Sequence, residues 1–197
     1  MDEEERREIG RAIREAAKKS RGYASYFDWR LDRDLEEWGV AQCVRGSREA
    51  QGLPFYYSHL RVRGRSNDPP DCEACDAASR RVAVEITELV SEDATKAYQA
   101  GRIYDFGVWD RATFLSELSE RITRKDKNFY RLKDAPYDGG YELIVFTDEP
   151  MLGRETVEGY LSGHVFDRTA HLSRVLLLLG YDPGIQRCPL YELDVHA

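Results

Sequence analysis

The chain has no run of about twenty apolar residues, so no membrane span is expected. Its first residues, Met1-Asp2-Glu3-Glu4-Glu5, offer no basic stretch followed by an apolar one, which argues against a secretory signal. Cysteine is scarce: Cys43, Cys72, Cys75 and Cys188 are the only four. Cys72 and Cys75 form a C-x-x-C, yet no second such pair and no nearby histidine pair completes a tetrahedral zinc site. If the two lie on a strand, a spacing of three turns their side chains to opposite faces. Reduced thiols in a cytoplasmic protein are the expected state. Positive charge is in deficit, with a net charge of −7. That argues against a protein that coats DNA with its whole surface, while leaving room for a local basic groove. A glycine-rich phosphate loop and a G-x-S-x-G motif are both missing, and His59, His164, His171 and His196 have no metal-ligand spacing.

Repeats, low-complexity tracts and interdomain linkers are missing too, so 197 residues imply one domain with a real core. Residues 1–30 read as an N-terminal helical extension, 31–150 as the core and 151–197 as a C-terminal helix and strands. Apolar positions at Ile9, Ile13, Ala16 and Ala17 predict a helix over 3–20. A second helix is predicted over 32–50, with Asp34, Glu36 and Glu37 in its first turns, where the helix dipole favours acids. Strands are predicted over 55–62, 71–76, 80–90, 141–147, 174–179 and 190–195. A short helix is expected over 92–100, a long one from an Asp110 cap to about 130, and another over 154–162. Together these make an α/β domain with a central mixed sheet flanked by helices.

The densest chemistry lies in Asn67-Asp68-Pro69-Pro70-Asp71 and Val82-Ala83-Val84-Glu85-Ile86-Thr87. The midpoint between Asp71 and Glu85 is Ala78, inside the turn-forming Asp76-Ala77-Ala78-Ser79. A hairpin symmetric about that turn sets Asp71 directly opposite Glu85, about 4.5–5.5 Å apart at Cβ. Two carboxylates that close require a shared proton or a cation. Hard oxygen ligands favour Mg²⁺ or Mn²⁺. Glu73 shares Asp71's face by alternation and is a further candidate acid. Thr87 and Ala83 share Glu85's face.

The long helix carries apolar residues at Leu118, Ile122, Phe129 and Leu132. The missing member of that stripe is Lys125, three after Ile122 and four before Phe129. A core-facing ammonium needs a carboxylate partner, and Glu85 is within reach of a helix packed on the sheet. Lys127 lies off the stripe. Basic residues gather at Arg121, Arg124, Lys127, Arg131 and Lys133, with further groups at Arg61, Arg63 and Arg65 and at Arg80-Arg81. Positive charge concentrated beside paired acids is the electrostatic outline of a phosphodiester binder.

The Pro70-Asp71 pair, the Glu85-x-Thr87 strand and the helix–three strands–helix–strand order resemble the PD-(D/E)xK, or restriction-endonuclease-like, nuclease superfamily. The resemblance implies an αβββαβ core and metal-dependent hydrolysis of nucleic acid, DNA by family habit. It implies a metal held by Asp71, Glu85 and the backbone carbonyl of Ile86. The family's lysine, two residues after the second acid, is replaced here by Thr87; some members carry it on the following helix, where this chain has Lys125. The resemblance also implies a further acid from the preceding helix, for which Glu36, Glu37 and the more distant Glu49 are candidates. Arg121, Arg124, Lys127 and Arg131 would then contact the nucleic acid. A homodimer is compatible with this reading, and no membrane partner is expected. The rival expectation is a module that keeps the fold and binds nucleic acid or protein without turnover, for which Thr87 is the best support.

Overall fold

A computed structural model describes residues 33–100 and 109–196. The helix expected over 3–20 lies outside them. Helix α1, Arg33–Ala50, turns Val40, Ala41 and Val44 inward. Strand β1, Ser58–Val62, starts later than expected. The aromatic run before it covers α1 instead of pairing: the Arg45 guanidinium lies 4.6 Å from the Phe55 ring centre and that of Arg48 3.9 Å from Tyr56. Phe55 also meets Tyr57 edge-on at 5.2 Å.

β2, Cys72–Cys75, and β3, Arg81–Glu88, form the expected antiparallel hairpin. Cys72 faces Val84, Glu73 faces Ala83, and Ala74 faces Val82, so the pairing is centred on Ala78. Asp76 builds the turn by accepting the Ala78 and Arg80 N–H groups, both at 2.9 Å. Short local bonds of this kind are why asparagine and aspartate populate turns.

The sheet has six strands in the order β1-β2-β3-β4-β5-β6, with β4 spanning Gly140–Thr147, β5 Leu172–Leu179 and β6 Leu190–Leu193. β3, β4 and β5 run parallel, and the outer pairings are antiparallel. Covered on both faces, the parallel strands lose the alternation that marks a half-solvated strand. Residues 172–193 are thus built into the same sheet as the hairpin.

Two helices, α2 (Glu92–Gln99) and α3 (Arg111–Lys127), lie between β3 and β4, and α4 (Arg154–Leu161) lies between β4 and β5. Asp110 caps α3, accepting the Thr113 N–H at 2.7 Å. Phe114, Leu118 and Ile122 of α3 share one core with Ala83, Leu143 and Val145. Val40 and Val44 of α1 share the other with Val82, Val84 and Ile86. Glu85 is therefore on the α3 side of the sheet, by alternation with Ala83. After Lys127 the helix tightens into a 3₁₀ turn, Asn128–Arg131. No helix among the described residues is long and apolar enough to cross a membrane.

The start of β4 fits against β3 only because residue 139 has no side chain. A Cβ on Gly139 would lie 2.8 Å from the carbonyl oxygens of both Arg80 and Arg81. Gly139→Ala is expected to lower stability by about 1–3 kcal/mol, the usual cost of overpacking. Gly159→Ala, in α4 with open space around it, should instead gain up to about 1 kcal/mol of helix propensity. Urea unfolding of both variants checks this, and an unchanged midpoint for Gly139→Ala would rule out the close approach.

Candidate functional site

Continuing the hairpin register by one step sets Asp71 opposite Glu85, and both side chains are shut away from solvent, at 2% and 1% exposure. Asp71 follows two prolines. The register places Pro70 opposite Ile86, and a proline has no N–H to donate to the Ile86 carbonyl. The ladder's other bond here is made by the Asp71 carboxylate, its Oδ2 accepting the Ile86 N–H at 2.8 Å in place of a backbone carbonyl. Its backbone carbonyl accepts the Arg63 N–H at 2.9 Å. Fixed at both ends, Asp71 turns its other oxygen, Oδ1, to the guanidinium of Arg33.

Lys125 comes from the last turn of α3 and pairs its ammonium with Glu85 Oε2. Its backbone is held as well, since the Tyr141 hydroxyl donates to the Lys125 carbonyl at 2.8 Å. The structure thus brings together the three residues that the hairpin register and the helix stripe aim at one point. From α1, Glu37 joins them, buried and paired with Arg33.

Two members escaped the sequence reading. Arg33 binds Glu37, Asp71 and, at 3.1 Å, Asp68. Asp68 in turn offers a carboxylate oxygen that lies within 4.8 Å of ligand atoms on Asp71 and Glu85, so these three acids could hold a metal ion. A signal for Arg33 was present: a cation in the first turn of a helix opposes the helix dipole and needs compensating acids. Asp68 carried no such signal, because aspartate before proline is also ordinary turn chemistry.

Four carboxyls face two cations here, so full ionisation would leave two uncompensated negative charges. Burial pushes the Glu37 carboxyl up to about 8, with Asp71 adding to the rise and Arg33 opposing it. Burial likewise lifts Glu85 to about 7, against the pull of Lys125 and with a further push from Asp71. Glu85 Oε1 is buried without a hydrogen-bond partner, alone in this among carboxylate oxygens of the described residues. Glu142, buried nearby in the sheet, shows the contrast: Tyr57 donates to it at 2.6 Å and Arg174 grips both its oxygens at 2.9 and 3.0 Å. A bare Oε1 beside Asp71 is satisfied by a shared proton or by a cation. The all-oxygen donor set suits Mg²⁺ or Mn²⁺.

Other expected residues are placed elsewhere. Glu73 is not part of the cluster: it pairs with Arg81 at 3.0 Å and Arg61 at 3.3 Å. Glu36 lies outside the metal-competent group, and Glu49 is exposed more than three turns along α1 from Glu37. Thr87 is half-buried on Glu85's face and brings no charge. Arg121 is not on a basic surface. It is 5% exposed and donates to the Glu88 and Val90 carbonyls at 2.9 and 3.1 Å and to Glu117 at 2.7 Å, bracing α3 against the end of β3. Arg63 is spent on Asp134 and Tyr137, and Arg80 on Asp76. Arg124, Lys127 and Arg131 remain exposed. None of the four cysteines forms a disulfide, and Cys72 is buried and Cys75 half-buried.

No family model, curated protein or solved structure matches the chain.

The raised acids fix the sign of a pH effect. Between the ordinary carboxyl value of 4.5 and about 7 for Glu85 or about 8 for Glu37, the folded state holds protons that the unfolded chain has lost. Their contribution is complete below 4.5 and fades as pH rises through those values. The lowered acids Glu73, Asp76 and Asp110 act below that window. In chelator, the melting temperature should therefore fall between about pH 5 and 8, and Glu85→Gln should flatten part of the slope. Mn²⁺ should stabilise most at the alkaline end, where no proton competes. A melting temperature that climbs through this window in chelator would contradict the raised values.

Proposed function

We propose that the protein is a metal-dependent phosphodiesterase of the PD-(D/E)xK kind, cleaving nucleic acid, with DNA as the substrate. One observation carries the reading: a buried carboxylate pair with an orphaned oxygen, met by a lysine from the following helix. The order α1-β1-β2-β3, then α3 and β4, supports it, as do Pro70-Asp71 at the head of β2 and Glu85 on β3.

Asp68, Asp71, Glu85 and the Ile86 carbonyl would hold Mg²⁺ or Mn²⁺, which when bound acidifies water and polarises a phosphoryl oxygen. The chain supplies the rest. The Ile86 N–H holds Asp71 in one orientation. Lys125 keeps an ammonium beside Glu85, where negative charge would build on the phosphoryl oxygens, and so does the work that Thr87 cannot. Glu37, its carboxyl pushed up to about 8 by burial, would hold a proton next to Asp71. Arg124, Lys127 and Arg131 offer exposed charge for the phosphate backbone.

A second reading, the fold retained for binding without turnover, is favoured by the hold of Arg33 on Asp68 and Asp71, which occupies two of the acids a metal needs.

Cleavage assays in Mg²⁺, Mn²⁺ and Ca²⁺ on single- and double-stranded DNA and RNA separate the two. Products are expected in Mg²⁺ or Mn²⁺ and not in Ca²⁺, which prefers larger, looser coordination. Asp71→Ala and Glu85→Ala should abolish them. Lys125→Ala should cost on the order of a hundredfold or more in single-turnover rate, far beyond Lys127→Ala. Lys125→Met should keep the fold by circular dichroism, and Thr87→Lys in that background should restore part of the rate. Equal, small losses at Lys125 and Lys127 would reduce both to phosphate contacts. No metal-dependent product across the panel would leave the binding module.

A further inference from the structure

We infer that the strand is taken unpaired, with one of its bases stacked on Tyr130. This rests on the nuclease reading above and narrows its substrate.

Tyr130 is 80% exposed and sits in the 3₁₀ turn that follows α3. Its backing is a stack of packed rings. His171 meets it edge-on at 4.9 Å and lies flat on Phe129 at 4.3 Å, with 5° between the planes. Phe129 in turn packs against the buried Tyr141, at 5.9 Å. The loop that carries His171 is pinned to α3, because the Asp126 carboxylate accepts the N–H groups of Ala170, His171 and Leu172 at 3.0, 2.8 and 2.9 Å. An exposed ring on such a support has little freedom to lose when a base covers it.

Charge and position agree with this. From Thr123 to Lys133 there are five lysines and arginines and one acid, within a chain of net charge −7. That acid is Asp126, whose oxygens are taken by the three N–H groups. Five residues before Tyr130, Lys125 reaches Glu85. Three residues after it, the Lys133 N–H bonds the Pro69 carbonyl at 2.8 Å, and the Lys133 ammonium bonds the Ser66 carbonyl at 3.2 Å. In sequence, Tyr130 thus lies between the lysine at the acids and the residue that bonds the loop carrying Asp68 and Asp71. Within a duplex the base faces cover one another. An aromatic ring among basic side chains takes unpaired bases, through stacking that tolerates any sequence.

The test is fluorescence anisotropy in Ca²⁺ with a labelled single-stranded oligonucleotide and the blunt duplex of the same sequence. The full chain should bind the single strand at least about tenfold more tightly, the worth of one stacked base. Tyr130→Ala should remove that preference and leave duplex affinity within about twofold, while Tyr130→Phe should keep it. Arg131→Ala should weaken both forms alike and reduce the salt slope by about one. Tyr130 is exposed, so its loss does not threaten the fold. Equal affinity for the two forms, an unaffected Tyr130→Ala, or a Tyr130→Phe as weak as Tyr130→Ala would overturn the stacking inference. If duplex is still bound and cut in Mg²⁺, the nuclease reading survives that failure. Binding to neither form would end both.

Discussion

Glu85 is the residue around which the rest of the structure is arranged. A carboxylate at 1% exposure on an inner strand of a mixed sheet carries a desolvation cost that only nearby charge or a proton can offset. The hairpin worsens the problem by setting Asp71 opposite. The remedies come from different parts of the chain: Lys125 from α3 on one side, and Arg33 from the start of α1, which answers Asp71, Asp68 and Glu37. Helix α3, which delivers Lys125, is held by polar anchors of its own. Tyr141 fixes the Lys125 backbone, Arg121 ties α3 to the end of β3, and Asp126 grips the loop before β5.

Much of this was legible because it depends on local periods. A symmetric turn about Ala78 dictates which residues oppose each other, so the Asp71–Glu85 juxtaposition follows from counting. The gap in the α3 stripe places Lys125 toward the sheet by the same arithmetic, and Asp110 was readable as a cap. What could not be counted was the destination of each arginine. Arg121 and Arg124 are equally basic and three residues apart, yet Arg121 turns inward to carbonyls at and just past the end of β3 while Arg124 stays in water. Glu73 has the same alternation as Asp71, but Arg61 and Arg81 flank it on both neighbouring strands and claim it. These outcomes depend on cross-strand neighbours and on strand ends, which periodicity does not report.

Arg33 gives the site two electrostatic conditions. With the guanidinium among Glu37, Asp68 and Asp71, the acids are held in a compact, partly neutralised group. A divalent ion would compete with it for the same oxygens, at the ends of a side chain that is only part-buried. Protonation of Glu37 and Glu85 is a third way of reducing the same charge. Proton, guanidinium and divalent cation are thus alternative counter-charges for one cluster, and the pH and metal content of the surroundings decide among them.

The strand order has a consequence for how the site comes into being. β3 and β4 are neighbours in the sheet, but α2 and α3 lie between them in sequence, and β4 is joined to β5 only after α4. During synthesis the acids of the hairpin emerge well before the strands that bury them. Parallel pairings of high sequence separation form late, because loop closure precedes their reward. Until the last central strand docks, Glu85 stays in water, and the burial that raises its carboxyl sets in only with that docking.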